Sequence, residues 1–150
     1  MGAAIDGEVG DASVVVISDY GKGVVSPAVA AHAVKVARAA GKPVIVDTKA
    51  LDLSVFRGAS LLTPNARELG LASRMPAGSD DEVAAAGAHL VSAFDLGGLV
   101  VTRAERGMTV IERGRSAVQL ATEAREVFEQ VALSDEFVEF LTLAAYERLP

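Results

Sequence analysis

The 150-residue chain contains no cysteine. Disulfides and cysteine–metal sites are therefore excluded, and the composition suits the reducing cytoplasm. No apolar run approaches the roughly 18 residues a membrane-spanning helix needs. There is no basic run either. With a net charge of -6 and a pI near 4.9, nucleic acid and anionic membrane are not expected partners. The first residues, MGAAIDGEVGDA, lack the apolar core of a signal peptide. Asp6 stands where a myristoylation signal needs Ser or Thr. Aromatic residues make up only 5% of the chain, and no internal repeat or low-complexity tract is visible.

Hydrophobic residues make up 51% of the sequence, mostly Ala, Val and Leu. That mixture suits helices packed on a valine-rich sheet and argues against disorder. The length is that of one domain. Residues 1–11, acidic and glycine-bearing, read as a loose leader, and 12–150 as a single α/β domain. Val14 to Ser18 reads as a buried strand, and Ser26-Pro27 as the N-cap and first residue of a helix. That helix runs to about Ala40, with Val29, Ala33, Val36 and Ala37 on one face and Gly41 just past its end. Pro43 to Asp47 is a second strand, so strand, helix and strand form a parallel βαβ unit with a right-handed crossover. Further strands are expected at Ser60–Thr63, Leu99–Thr102, Met108–Glu112 and Ser116–Ala121. The last two form an antiparallel hairpin around Arg113-Gly114-Arg115. Ser79 and Glu82 make a capping box for a helix to about Phe94. A last helix is expected to begin near Asp135.

Parallel α/β sheets bind ligands at the carboxyl ends of their strands. Asp19 and Lys22 follow the first strand here, and Asp47 and Lys49 the second, so two acids and two lysines share one edge. Within SDYGKG, Gly21 and Gly23 leave room for backbone N–H groups to approach an anion, beside the mobile charge of Lys22. The residues alone are equally consistent with a solvated turn and a surface salt-bridge cluster. Asn65 and Glu68, three apart, project from one face of a helical first turn. His32 and His89 sit in helix patterns with no second ligand at metal spacing, and read as ordinary helical residues. Arg113 and Arg115 read as a solvated hairpin tip rather than an anion site.

Taken in order, VVVISDYGKG, GKPVIVDTK, FRGASLLTPNARE, VTRAERGM and REVF resemble the C-terminal portion of a ribokinase-like (PfkB-type) sugar kinase. Within that family the chain is most similar to the heptose-7-phosphate kinases of ADP-heptose biosynthesis. The resemblance spans residues 12–140. It implies an open, mostly parallel sheet with an antiparallel hairpin edge and helices on both faces, as part of a larger domain. It also implies phosphoryl transfer from ATP with Mg²⁺ to a sugar hydroxyl. Asn65 and Glu68 match the Asn–Glu motif that serves Mg²⁺ and its waters. Lys22 and Lys49 match lysines near the phosphates. Thr102 and Gly107 match the nucleotide-binding turn, and Asp135 matches the base that takes the hydroxyl proton. Such chemistry asks for positioning and charge neutralisation more than covalent help.

The chain also departs from the family pattern. Glu129-Gln130-Val131-Ala132-Leu133-Ser134-Asp135 stands where the family reads Asp-Val-Thr-Gly-Ala-Gly-Asp, so both anion-hole glycines are replaced. The sugar-binding N-terminal half of the family is expected to be missing. A second reading follows: a degenerate, non-catalytic relative that binds a nucleotide or a partner subunit. In either case an unpaired sheet edge or apolar patch predicts homo-oligomerisation or a complementing chain.

Overall fold

The computed structural model describes residues 2–120, with side chains from residue 5 onward. Asp135 and the helix expected near it lie outside the described residues, as does the altered loop before it.

The elements run α1 (Gly2–Asp11), β1 (Val15–Asp19), α2 (Pro27–Ala39), β2 (Val44–Thr48), β3 (Leu61–Leu62), α3 (Ala66–Ser73), α4 (Asp80–Ala93), β4 (Gly98–Thr102), β5 (Met108–Glu112) and β6 (Val118–Gln119). The strands stand in the sheet in chain order. β1 to β4 are parallel, and β5 and β6 add an antiparallel edge. The mostly parallel sheet with a hairpin edge is thus as expected from the sequence.

Consecutive strands laid down in one direction by right-handed crossovers place every crossover on the same face. Burial alternates accordingly. Val44, Val46, Leu62, Leu99, Val101 and Ile111 are buried against α2, α3 and α4. Their in-between neighbours Ile45, Leu61, Val100 and Val110 are only half-buried, and Val16 is 64% exposed. Helices were expected on both faces; among the described residues they cover one.

Local chemistry accounts for the helix ends. Ser26 Oγ accepts from Val29 N at 3.3 Å, and Pro27 opens α2. At its other end Lys42 N bonds Ala37 O and Gly41 N bonds Arg38 O. That is a Schellman close, and Gly41 takes the positive φ of 67° that it requires. The buried face of α2 is Ala30, Ala33, Val34 and Ala37, rotated from the expected face centred on Val29 and Val36. Small alanines let the helix sit close to β1 and β2, with Val34 buried beside them and Val29 and Val36 at the margin.

Residues 2–11, expected as a loose leader, form α1 instead. Its three glycines obscure the pattern, but Val9 is buried and Ile5 packs against the core. Asp6 Oδ1 lies 2.7 Å from His32 Nε2, which ties α1 to α2. His32 is thus an ordinary helical residue with a local partner, and His89 is exposed on α4.

Candidate functional site

The site is assembled by the carboxyl ends of β1, β2 and β4 and the start of α3. β1 and β2 run in register to Asp19 opposite Thr48, and Lys49 N continues the ladder to Asp19 O at 3.0 Å. The chain after β3 turns through Pro64, and Thr102 N bonds Pro64 O at 3.0 Å. An isolated parallel bridge then sets Asn65 beside Thr102. Four residues singled out from sequence, Lys49, Asn65, Glu68 and Thr102, therefore meet at one edge.

Asn65 and Glu68 form a reciprocal capping box. Asn65 Oδ1 accepts from Glu68 N at 2.9 Å, and Glu68 Oε2 accepts from Asn65 N at 2.9 Å. This satisfies two of the backbone donors a helix start leaves open. The second carboxylate oxygen, Glu68 Oε1, accepts from Lys49 Nζ at 2.8 Å. Burial pushes the Glu68 carboxyl up, but the bonds from Lys49 and the Asn65 N–H prevail and hold it below the usual carboxylate range. Its bond to Glu68 holds the Lys49 ammonium above its usual value. At neutral pH the pair is a fixed carboxylate beside a fixed cation.

Tyr20 supports this arrangement, and the sequence reading gave it no role. Its hydroxyl donates to Asp47 Oδ2 at 2.7 Å, and Lys49 Nζ lies 5.9 Å from the centre of its ring. Asp19 is occupied as well. Its Oδ1 accepts from Gly21 N at 3.0 Å, and Thr48 Oγ1 donates to its Oδ2 at 3.4 Å. The Gly21 N–H expected to face an anion is thus already engaged. Gly21 and Gly23 do take positive φ values of 68° and 82°, the backbone shape that favours glycine there. Lys22 is exposed and takes no part in this network. The crevice bordered by Glu68, Thr48 and Thr63 holds about 10 Å³. A ligand would therefore lie across the edge rather than inside it.

Thr102 leads into a tight turn. Arg103 N bonds Gly107 O at 2.8 Å and Gly107 N bonds Ala104 O at 3.1 Å. Gly107 has φ 75° and Ala104 φ 51°, the latter uncommon for a side chain-bearing residue. Arg103 anchors the turn, and sequence reasoning missed it because an arginine after a strand reads as surface. Its side chain is buried. It donates to Thr109 Oγ1 at 3.3 Å, to Gln119 Oε1 at 2.9 Å and to Asp80 at the start of α4. Its Nε is buried without a hydrogen-bond partner among the described residues. The available signal was period two: Thr109 and Gln119 are polar residues on the strand face that carries Ile111 inward.

Among the described residues no three acidic or imidazole groups approach closely enough to hold a metal between them. Mg²⁺ does not require such a cage. It commonly takes one or two carboxylates, several waters and the oxygens of a bound phosphate. The carboxylates at this edge include Glu68, whose oxygens accept from Lys49 and Asn65, and Asp47, which accepts from Tyr20.

The chain has counterparts among known proteins. A family model for pfkB family carbohydrate kinases matches residues 4–130. "Bifunctional protein HldE" of Gluconacetobacter diazotrophicus is 42% identical over 143 residues, which make up 95% of this chain and 30% of that protein. The chain spans about a third of the length of the curated relatives it matches. Arabidopsis thaliana ribokinase, complexed with ribose and ATP, superimposes with a TM-score of 0.65 at 20% identity, covering 93% of this chain and 49% of that one. The tetrameric inhibited form of Escherichia coli phosphofructokinase-2 gives 0.63 at 18%, covering 79% and 41%. At these identities the two solved structures establish the fold.

Proposed function

The chain belongs to the pfkB family of carbohydrate kinases, and from that membership we propose that it serves the transfer of a phosphoryl group from ATP to a sugar hydroxyl, with Mg²⁺, in the cytoplasm. The acceptor class we infer is a heptose phosphate, in keeping with the similarity to HldE proteins. The observation that carries this reading is the meeting of Lys49, Glu68, Asn65 and Thr102 at the carboxyl edge of the parallel strands. A triphosphate laid along that edge would find the Lys49 ammonium on one side and the Thr102–Gly107 turn on the other. Glu68 would orient the water around a phosphate-bound Mg²⁺, which spreads the charge that builds during transfer. Lys22, mobile and exposed, is available to the outer phosphate. Asp135 would accept the hydroxyl proton, as a carboxylate at the reacting oxygen can.

A second reading has a specific observation behind it. Ala132-Leu133-Ser134 replaces the glycines whose N–H groups form the family's anion hole. On that reading the chain binds nucleotide or a partner subunit without turnover. The two readings part on one experiment. Purified protein is titrated with ATP with and without Mg²⁺, then assayed for ADP release with heptose 7-phosphate. The kinase reading expects Mg²⁺-dependent binding, turnover, and loss of turnover but not of binding in Asp135→Asn. Binding without turnover supports the second reading, and no binding at millimolar ATP removes both nucleotide readings. Partner chemistry follows the same reading: a nucleotide, a sugar phosphate, and a second copy or complementing chain. The fold neighbour from Escherichia coli is described as tetrameric.

A further inference from the structure

The edge opposite the candidate kinase site carries a charge pattern that the proposed function does not use. α2 descends to this amino edge of the sheet, β2, β3 and β4 begin there, and β5 ends there. Lys35, Arg38, Lys42, Arg57 and Arg113 converge on it around Asp95, the one carboxylate among the described residues that line it. They come from α2, its following loop, the loop before β3 and the end of β5. In a chain of net charge -6 this is, among the described residues lining it, a local excess of four positive charges, five less one.

The side chains are held in place rather than strewn over a surface. Asp95 is clamped by Arg38 Nη1 at 2.9 Å and Arg113 Nη1 at 2.7 Å. Arg113 also donates from Nε and Nη2 to Leu96 O at 3.0 and 2.6 Å. The hairpin-tip reading thus fits Arg115, which pairs with Glu112, but Arg113 turns back to the sheet edge. Gly58 makes room for Arg38: a Cβ there would stand 2.0 Å from its Nη1, and the backbone φ is +83°. Asp95 itself has φ 55°, a conformation non-glycine residues rarely hold without a local cause. Arg57 lies 5.8 Å from the Phe94 ring centre. Two adjoining clefts, of about 430 and 370 Å³, share Arg38 and Asp95. Even with their ion pairs made, Arg38 and Arg113 remain 54% and 52% exposed.

We propose that this amino edge is a second anion site, taking the phosphoryl group of a diphosphate or phosphorylated metabolite. Arg38, Lys42 and Arg57 supply the contacts, and Arg113 positions Arg38 through Asp95. Guanidinium groups match phosphoryl oxygens in pairs, and two lysines add unshared charge. Compensation of the α2 carboxyl-end dipole would explain Arg38 and Lys42. It does not explain Arg57 and Arg113, which belong to other elements.

Calorimetry and amide NMR with inorganic pyrophosphate, without Mg²⁺ and at physiological ionic strength, test the proposal. Expected is saturable binding with shifts at residues 38–42, 57–60 and 95–97. Lys42→Glu and the double variant Arg38→Gln/Lys42→Gln should each weaken it roughly tenfold or more, while the shifts at residues 38–42, 57–60 and 95–97 persist in Lys49→Met. Lys42 makes no side-chain bond among the described residues, so its variant keeps the test clear of misfolding. ATP and glucose 6-phosphate as parallel probes tell diphosphate from monophosphate sources. No saturation at millimolar pyrophosphate, shifts confined to the Lys49 edge, or wild-type affinity in both amino-edge variants would overturn the proposal. Because the Lys49 variant reports on the other edge, failure here leaves the kinase reading untouched.

Discussion

Glu68 does two jobs with two oxygens, and each has a pH signature. Its folded carboxyl lies below the ordinary value of 4.5, so its contribution is fully present above that value and fades as pH falls through the depressed pKa. Lys49 lies above its ordinary 10.5, so its contribution is present below that value and fades as pH rises through the raised pKa. Urea midpoints of wild type and Glu68→Gln should therefore differ by a constant amount between these limits, with the gap shrinking at both ends. A gap that widens as pH falls below the ordinary carboxylate value would contradict the paired geometry. Arg103 raises a different question, because its charge is buried with one nitrogen unpaired among the described residues. Arg103→Met removes that orphan but also the bonds to Thr109, Gln119 and Asp80. The expected net loss is about 1–3 kcal/mol, read from denaturant unfolding, together with a weaker ATP response because the Thr102–Gly107 turn loses its anchor. A variant as stable as wild type would mean the turn holds itself.

At the scale of elements, the helices show how one residue type carries opposite consequences. Gly7 lies on the exposed side of α1, where an added Cβ would meet nothing within 4 Å. Gly87 lies on the face of α4 that meets the sheet, where a Cβ would stand 2.1 Å from Ile111 Cδ1. Gly7→Ala should stabilise by about 0.5–1 kcal/mol through helix propensity. Gly87→Ala should destabilise by about 1–3 kcal/mol because Ile111 must move in a packed core. Thermal unfolding of the two variants checks the pair of signs. Equal signs would mean that α4 does not sit against β5 as described. Elsewhere the element boundaries follow local chemistry. Both capping boxes, Asn65 with Glu68 and Ser79 with Glu82, are in place, and α1 is the one described α-helix that local chemistry concealed.

At the scale of the whole molecule, the described sheet has two unlike faces. One is packed under α2, α3 and α4. The other presents Val16, Ile45, Leu61, Val100 and Val110 in a band across the strands, with Val118 at the edge 53% exposed. Apolar area of this extent, left uncovered among the described residues, tends to find a partner, and the outer edge of β1 is likewise open to pairing among them. Light scattering over a concentration series should show self-association, reduced by Val16→Lys, which puts a charge on both the face and the edge strand. A clean monomer at high concentration would argue against this surface as an interface.

The sequence by itself determined the elements from β1 onward, their order and the parallel βαβ start, and it marked the carboxyl edge as the candidate place for chemistry. These depend on alternation, caps and glycines that act within a few residues. It also brought out Lys49, Asn65 and Glu68, because strand ends and helix starts locate their neighbours, and Thr102 through the family resemblance. Only the tertiary structure decided the rest. Val9 and Ile5 make a helix of residues 2–11 by finding α2, a contact no local pattern encodes. Arg103 is buried because three distant elements supply its acceptors. Arg38 and Arg113, 75 residues apart in the chain, share one carboxylate because α2 and β5 end at the same edge. Long-range burial and charge pairing are properties of packing, and packing exists only once the sheet has been assembled.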